Sequence, residues 1–250
     1  MVKGFYQLTS AMLSQGRRLD VVSNNMVNVS TAGYKADRYT DSTFQNVLMS
    51  RIGNKDKSAP QELGQESYIL APSELYTDYT QGSLEETTLP LDFAIEGDGF
   101  FAIELNGQVG YTRQGSFTLD EEGYLCLGGQ GRVLDNQGQP IQLPTDKIKA
   151  DPDGALYSVN GSSYLGTLGI YAFQDNGALE RNERGLFVGQ GAAISGNYKI
   201  HHKMVERSNS NMVQEMVFMM SSQRALQSAA QLSKIYDQVL TKTATDIGRL

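Results

Sequence analysis

Leu8-Thr9-Ser10-Ala11-Met12-Leu13-Ser14-Gln15-Gly16-Arg17-Arg18-Leu19-Asp20-Val21-Val22-Ser23-Asn24-Asn25-Met26-Val27-Asn28-Val29 carries the pattern on which the fold turns. Leu8, Met12, Gln15, Leu19, Val22, Met26 and Val29 recur at alternating spacings of four and three, the repeat that keeps one helix face against a neighbouring helix. The spacing returns near the other end at Phe218, Ser222, Ala225, Ala229, Leu232, Tyr236 and Val239. What lies between reads as β-structure, so the two ends must be brought together around it. The pattern predicts an α+β fold: long N- and C-terminal helices packed together as a coiled-coil-like arm, with a central, mostly antiparallel β domain. The expected divisions are 1–35 with 205–250 as a terminal helical assembly domain, 36–90 as an extended connecting region, and 91–204 as the β domain. Such a layout suits a chain built to join others better than one built around a pocket; the alternative is a self-contained β-domain binding module with the terminal helices folded onto it.

Charge sharpens that division. Residues 1–40 hold five Lys/Arg and two Asp/Glu, residues 200–250 six and four, and residues 41–199 ten and twenty-two. The ends are mildly basic and the middle strongly acidic, which disfavours nucleic acid as a partner because the largest part of the surface would repel phosphates. No apolar run approaches the roughly 20 residues that cross a bilayer, and no cleavable signal-peptide pattern opens the chain, so no direct membrane insertion is expected. Cys126 is the single cysteine, which removes an intrachain disulfide; its neighbours Leu125 and Leu127 point to a half-buried, unreactive thiol.

A first helix over about 5–29 and a second over about 209–244 are expected, each long for a globular domain. Gln15, Gly16 and Ser222 weaken the stripes, so the arms are expected to gain helix only when other subunits cover their apolar faces. From Ser23 to Thr31 the small polar residues Ser23, Asn24, Asn25, Asn28, Ser30 and Thr31 compete for backbone hydrogen bonds, and Gly33 can end a helix in the left-handed conformation. These side chains either fray the helix into a turn or bond across a tightly packed interface. Met212, Met216, Met219 and Met220 form an adaptable apolar surface on the last helix, better suited to protein than to membrane because Glu206, Glu215, Asp237 and Asp246 interrupt the positive charge.

Three blocks carry a family resemblance. Ser23-Asn24-Asn25-Met26-Val27-Asn28-Val29-Ser30-Thr31-Ala32-Gly33-Tyr34-Lys35 resembles the N-terminal signature of the bacterial flagellar rod and hook proteins. Leu91-Asp92-Phe93-Ala94-Ile95-Glu96-Gly97-Asp98-Gly99-Phe100-Phe101, followed by Tyr111-Thr112-Arg113-Gln114-Gly115-Ser116-Phe117, is similar to their central motif. Ser208-Asn209-Ser210-Asn211-Met212-Val213-Gln214-Glu215-Met216-Val217 and then Gln223-Arg224-Ala225 are similar to their C-terminal motif. The chain has no room for the extra outer domains of hook proteins, which favours the distal-rod branch of the family, with the proximal-rod branch next. Leu226 stands where an aromatic is usual, and Met26-Val27 where Leu-Ala is usual.

The resemblance implies a structural, non-enzymatic subunit of the flagellar basal body, outside the cytoplasmic membrane. It implies a homo-oligomer in a helical tubular assembly whose terminal helices form an inner layer around an export channel. Other rod and hook proteins are the implied neighbours, and the flagellar type III export apparatus is the implied route, without a cleaved signal. On this reading the assembly interface comprises Leu8, Met12, Leu19, Val22, Asn24, Asn25, Met26, Asn28 and Val29, with Met216, Met219, Ala225, Ala229, Leu232, Tyr236 and Val239.

In the middle, turn signals at Asn106-Gly107, Glu121-Glu122-Gly123, Asn136-Gln137-Gly138, Asp153-Gly154, Asn160-Gly161 and Asn176-Gly177 separate short apolar runs. Phe100-Phe101-Ala102-Ile103 and Leu168-Gly169-Ile170-Tyr171-Ala172-Phe173 read as the clearest strands, and the polar stretch Gly53–Gln61 as an extended excursion. Gly97-Asp98-Gly99 and Gly128-Gly129-Gln130-Gly131 lack the spacing of a dinucleotide fingerprint. His201 and His202 are neighbours, which point to opposite faces of an extended chain, and Asp151-Pro152-Asp153-Gly154 has Ser162 rather than Glu at the twelfth position of a calcium loop. No catalytic residue, metal site or cofactor is expected.

Overall fold

The computed structural model describes residues 2–51, 61–105, 107–159 and 163–248, with side chains described outside 1–3, 42–74 and 246–247. Two compact units share the chain: 1–27, 37–76 and 211–250 form one, and 28–36 with 77–210 the other, so the backbone passes between them four times. The class is α+β, with helices at both ends and a central β unit in which every described strand pairing is antiparallel.

In the helical unit, helix α1 spans Val2–Val27 and helix α2 spans Met212–Ile247. The two pack on each other, and α1 also packs on the strand Asp37–Arg51, which pairs with Gln61–Thr77. Asn211 starts α2 by accepting from Val213 N and Gln214 N, and Glu215 in the first turn complements the positive end of the helix dipole. α1 stops where the Ser/Asn run begins to turn: Asn28 O accepts from Thr31 N, and Gly33 takes φ +68°. Both helices are continuous, and each covers part of the other. Residues 53–60 of the expected excursion lie outside the described residues.

The buried phase of α2 differs from its apolar stripe. Glu215 and Ser222 are buried and Met219, Leu226, Ala229, Ser233 and Tyr236 half-buried, whereas Phe218, Ala225, Leu232 and Val239 are exposed. Ser222, Ala229 and Tyr236 keep their expected places; the intervening positions move one residue along. Small side chains on the buried side allow close approach: a Cβ on Gly4 of α1 would lie 2.8 Å from Tyr236 Oη.

The β unit is built on the strand Phe100–Leu105, whose two faces are both buried. Phe101 and Ile103 enter the larger core with Phe93, Ile95, Leu125 and Leu127; Phe100 and Ala102 enter a second with Tyr111 and Phe187. Each such apolar side chain contributes about 1.5–3 kcal/mol by leaving water. Around this strand the main sheet runs Glu180–Arg181, Phe187–Val188, Gln108–Thr112, Phe100–Leu105, Gly131–Val133, Leu125–Leu127, Phe117–Leu119, with Ile170–Ala172 also paired to Phe100–Leu105. The expected strand Leu168–Phe173 is shortened to Ile170–Ala172, because Gly169 lies against the backbone of Leu134 and Asp135. Two further short antiparallel pairs complete the unit, Phe93–Gly97 with Tyr198–His202 and Leu84–Glu86 with Met204–Glu206. Turns form at Gly123, Gly138 and Gly154, while Asn106 and Asn160-Gly161 lie outside the described residues.

Candidate functional site

The sequence blocks meet in two polar nodes, the first and third in the helical unit and all three in the β unit. In the helical unit the Asn25 side chain, 2% exposed, bonds both backbone groups of Asp37: Nδ2 donates to Asp37 O at 2.8 Å and Oδ1 accepts from Asp37 N at 3.0 Å. Nδ2 also donates to Glu215 Oε1 at 3.4 Å. One amide from the first block thereby fixes the start of a strand and touches α2. Burial pushes the Glu215 carboxyl above its ordinary value, against the opposing effects of the Asn25 bond and the Arg38 charge.

In the β unit Glu206, two residues before the third block, is wholly buried and is held by the first two blocks through Lys35 and Arg113. Lys35 Nζ meets Oε1 at 2.5 Å, Arg113 Nη1 meets Oε2 at 3.4 Å, and Gly82 N donates to Oε1 at 2.9 Å. Lys35 Nζ donates also to Thr80 O at 2.8 Å, and Arg113 to Ile95 O and Gly97 O. Burial lowers the proton affinity of both Lys35 and Arg113, and the Glu206 carboxylate opposes that loss. Beside this ion cluster Asn209 accepts from Ala36 N at 2.7 Å and donates to Asp78 O at 2.7 Å. Gly33 must be glycine here on two grounds: φ is +68°, and a Cβ would lie 2.3 Å from Arg113 C and Gln114 N. The charged node was missed in the sequence, where Lys35, Arg113 and Glu206 are separated by tens of residues and each reads as solvated charge.

The expected interface residues fall into three groups. Val22 and Asn25 are buried; Leu8, Met12, Leu19, Met26, Asn28, Val29, Met219, Ala229 and Tyr236 are half-buried; Asn24, Met216, Ala225, Leu232 and Val239 are exposed. Exposed apolar side chains concentrate in the helical unit. Of the twenty-two exposed large hydrophobic residues among the described side chains, sixteen lie there, including Phe5, Val213, Val217, Met220, Ile235 and Leu240. A surface that apolar marks contact with something other than water.

Residues with chemical potential are occupied structurally. His201 Nε2 pairs with Glu96 at 2.7 Å, holding that carboxyl below its usual range, while His202 stacks on Phe93 and bonds Pro90 O, so the neighbours face apart as expected. Burial raises the Cys126 thiol pKa, and Asp151–Gly154 closes a turn through Gly154 N to Asp151 O. Among the described residues no group of three or more His, Cys, Asp or Glu could hold a metal, and no helix is long and apolar enough to cross a membrane.

Buried nodes that tie distant segments in each unit, and the exposed apolar side chains of the helical unit, are the features of a protein that works through contacts. Comparison with known proteins supplies the family. Residues 5–35 match the family described as flagella basal body rod protein, 94–159 the flagellar hook protein FlgE/F/G D1 domain, and 201–246 the flagellar basal body rod FlgEFG protein C-terminal region. The flagellar basal-body rod protein FlgF of Mesorhizobium japonicum is 32% identical over 240 residues, covering 94% of this chain and 93% of its own. FlgG of Bacillus subtilis is 27% identical over 96% of this chain and 97% of its own, and the flagellar hook-basal body complex protein FlhO of the same organism 27% over the full length of both. The chain belongs to the flagellar basal-body rod protein family, FlgG/FlgF-like, and is a structural protein and not an enzyme.

Proposed function

We propose that this chain polymerises with copies of itself into a helical, tubular section of the flagellar rod, outside the cytoplasmic membrane. The terminal helices form the inner layer around an export channel. Torque passes through the packed helices and β-unit contacts. Other rod and hook proteins are the axial neighbours, and the flagellar type III apparatus exports the subunit. The exposed interface residues Met216, Ala225, Leu232 and Val239 meet other subunits, while Leu8, Met12, Leu19, Val22, Met26, Val29, Met219, Ala229 and Tyr236 hold the helices together as a coiled-coil-like pair. Asn24, Asn25 and Asn28 set the register of that packing.

The observation that carries this reading is the concentration of exposed apolar side chains on the helical unit, outside the packing between α1 and α2. Light scattering of the full chain across a concentration series tests it. Growth with concentration is expected for the parent, and Leu232→Asp, at a position 48% exposed, should remain monomeric with its fold intact. A parent that stays monomeric at all concentrations, or normal polymer from the Asp variant, would sink the proposed interface.

A further inference from the structure

A hole opens in the helical unit, about 200 Å³ in volume and lined by Arg18, Val21, Val22, Asn25, Asp37, Arg38, Tyr39, Tyr76, Glu215 and Phe218. Its floor is set by Val22, Asn25, Asp37 and Glu215, each 9% exposed or less. Glu215 is the unusual member. Among the described residues Asn25 supplies its one side-chain hydrogen bond, to Oε1 at a long 3.4 Å, and Arg38, on the wall of the same hole, acts on the carboxylate through its charge alone. A buried carboxylate so weakly partnered is costly, and the matching group is a cation delivered on an apolar stem.

The chain holds such a group on the opposite side of α2. Arg224 belongs to the Gln223-Arg224-Ala225 block, is exposed, and has no hydrogen bond or ion pair among the described residues. At 100° per residue it shares an outward ridge with Val213, Val217 and Met220, which are 72%, 53% and 51% exposed. Glu215 and Phe218 look the other way, toward α1 and the hole. Arg224 therefore cannot reach Glu215 in its own chain.

Resting on the self-assembly proposed above, we infer that Arg224 of one copy enters the hole of the next and pairs with Glu215. Val217 and Met220 lie on the rim formed by Phe218 and Tyr76. Donor ridge and receiving hole occupy different faces of one helix, so the contact is head-to-tail: it leaves a free ridge and a free hole at the ends, and it propagates. The long arm of Arg covers apolar wall while its planar fork satisfies the carboxylate.

The test uses full-length chains carrying Arg224→Glu or Glu215→Gln, with circular dichroism to verify the fold and sedimentation velocity to read assembly. Each variant alone should need at least about tenfold more protein than the parent to polymerise, the loss of one charge-assisted contact. Mixed in equal amounts, they retain one intact combination, Arg224 of the Gln variant onto Glu215 of the Glu variant. The mixture should form dimers that do not grow. If Arg224→Glu assembles like the parent, the Arg224–Glu215 contact is wrong while the rod reading survives. A parent that never assembles removes both. Dimers from either variant alone would mean a two-fold contact and overturn the head-to-tail arrangement.

Discussion

At the residue scale, the buried Glu206 is outnumbered by its cations, and this makes its loss worse than theirs. Glu206→Gln leaves Lys35 and Arg113 buried without an anion, and should destabilise the β unit by about 3–5 kcal/mol. Lys35→Met leaves one cation facing one anion and should cost less. Thermal unfolding of the two variants side by side checks the order; equal losses would mean that the cations do not share the carboxylate. Glu215 gives a pH dependence. Its pKa is raised in the folded protein, so the folded state holds the proton more tightly than the unfolded chain does. Stability of the helical unit should then fall as pH rises from about 4.5 through the raised pKa, and this component should vanish in Glu215→Gln. Melting temperatures of parent and variant across that range decide it. None of these pairings was legible in the sequence, since partners such as Asn25 and Glu215 lie far apart in the chain and only the fold brings them together.

At the element scale, the two helices were legible from their 3–4 spacing, and the end of the first from the small polar run that precedes Gly33, whereas the Asn211 cap emerged only from the structure. The face that each would bury was not. Apolar periodicity reports which side chains avoid water, and α2 carries apolar residues around much of its circumference, so the choice between Phe218 and Met219, or between Leu232 and Ser233, rests on which side chains let the helices approach. Serine wins at 222 and 233 because bulk there would hold the helices apart. Ser222 is 1% exposed, and Ser222→Leu should lower stability by about 1–3 kcal/mol through overpacking. The contrasting Leu232→Asp should leave the melting temperature nearly unchanged and abolish polymer. Should Ser222→Leu prove neutral, the described packing of α2 is misplaced.

At the scale of the molecule, charge is divided between the units. Residues 28–36 and 77–210 carry ten Lys/Arg against eighteen Asp/Glu, while the helical unit carries eleven against ten. Copies gathered side by side would set acidic β units near one another, and screening should relieve that repulsion within about 8 Å at physiological ionic strength. Raising salt from about 10 mM to about 150 mM should therefore lower the concentration at which the parent polymerises; the reverse trend would show that attraction between opposite charges dominates assembly. The sequence by itself determined the helical ends, the β-rich middle, the acidic surface and the family, because each is written in local spacing, composition or contiguous motifs. Only the tertiary structure decided that residues 28–36 join the β unit, that Glu206 is wholly buried among cations, and which side of α2 stays exposed. Those depend on contacts between segments tens to nearly two hundred residues apart, and their energies appear only when the chain has closed.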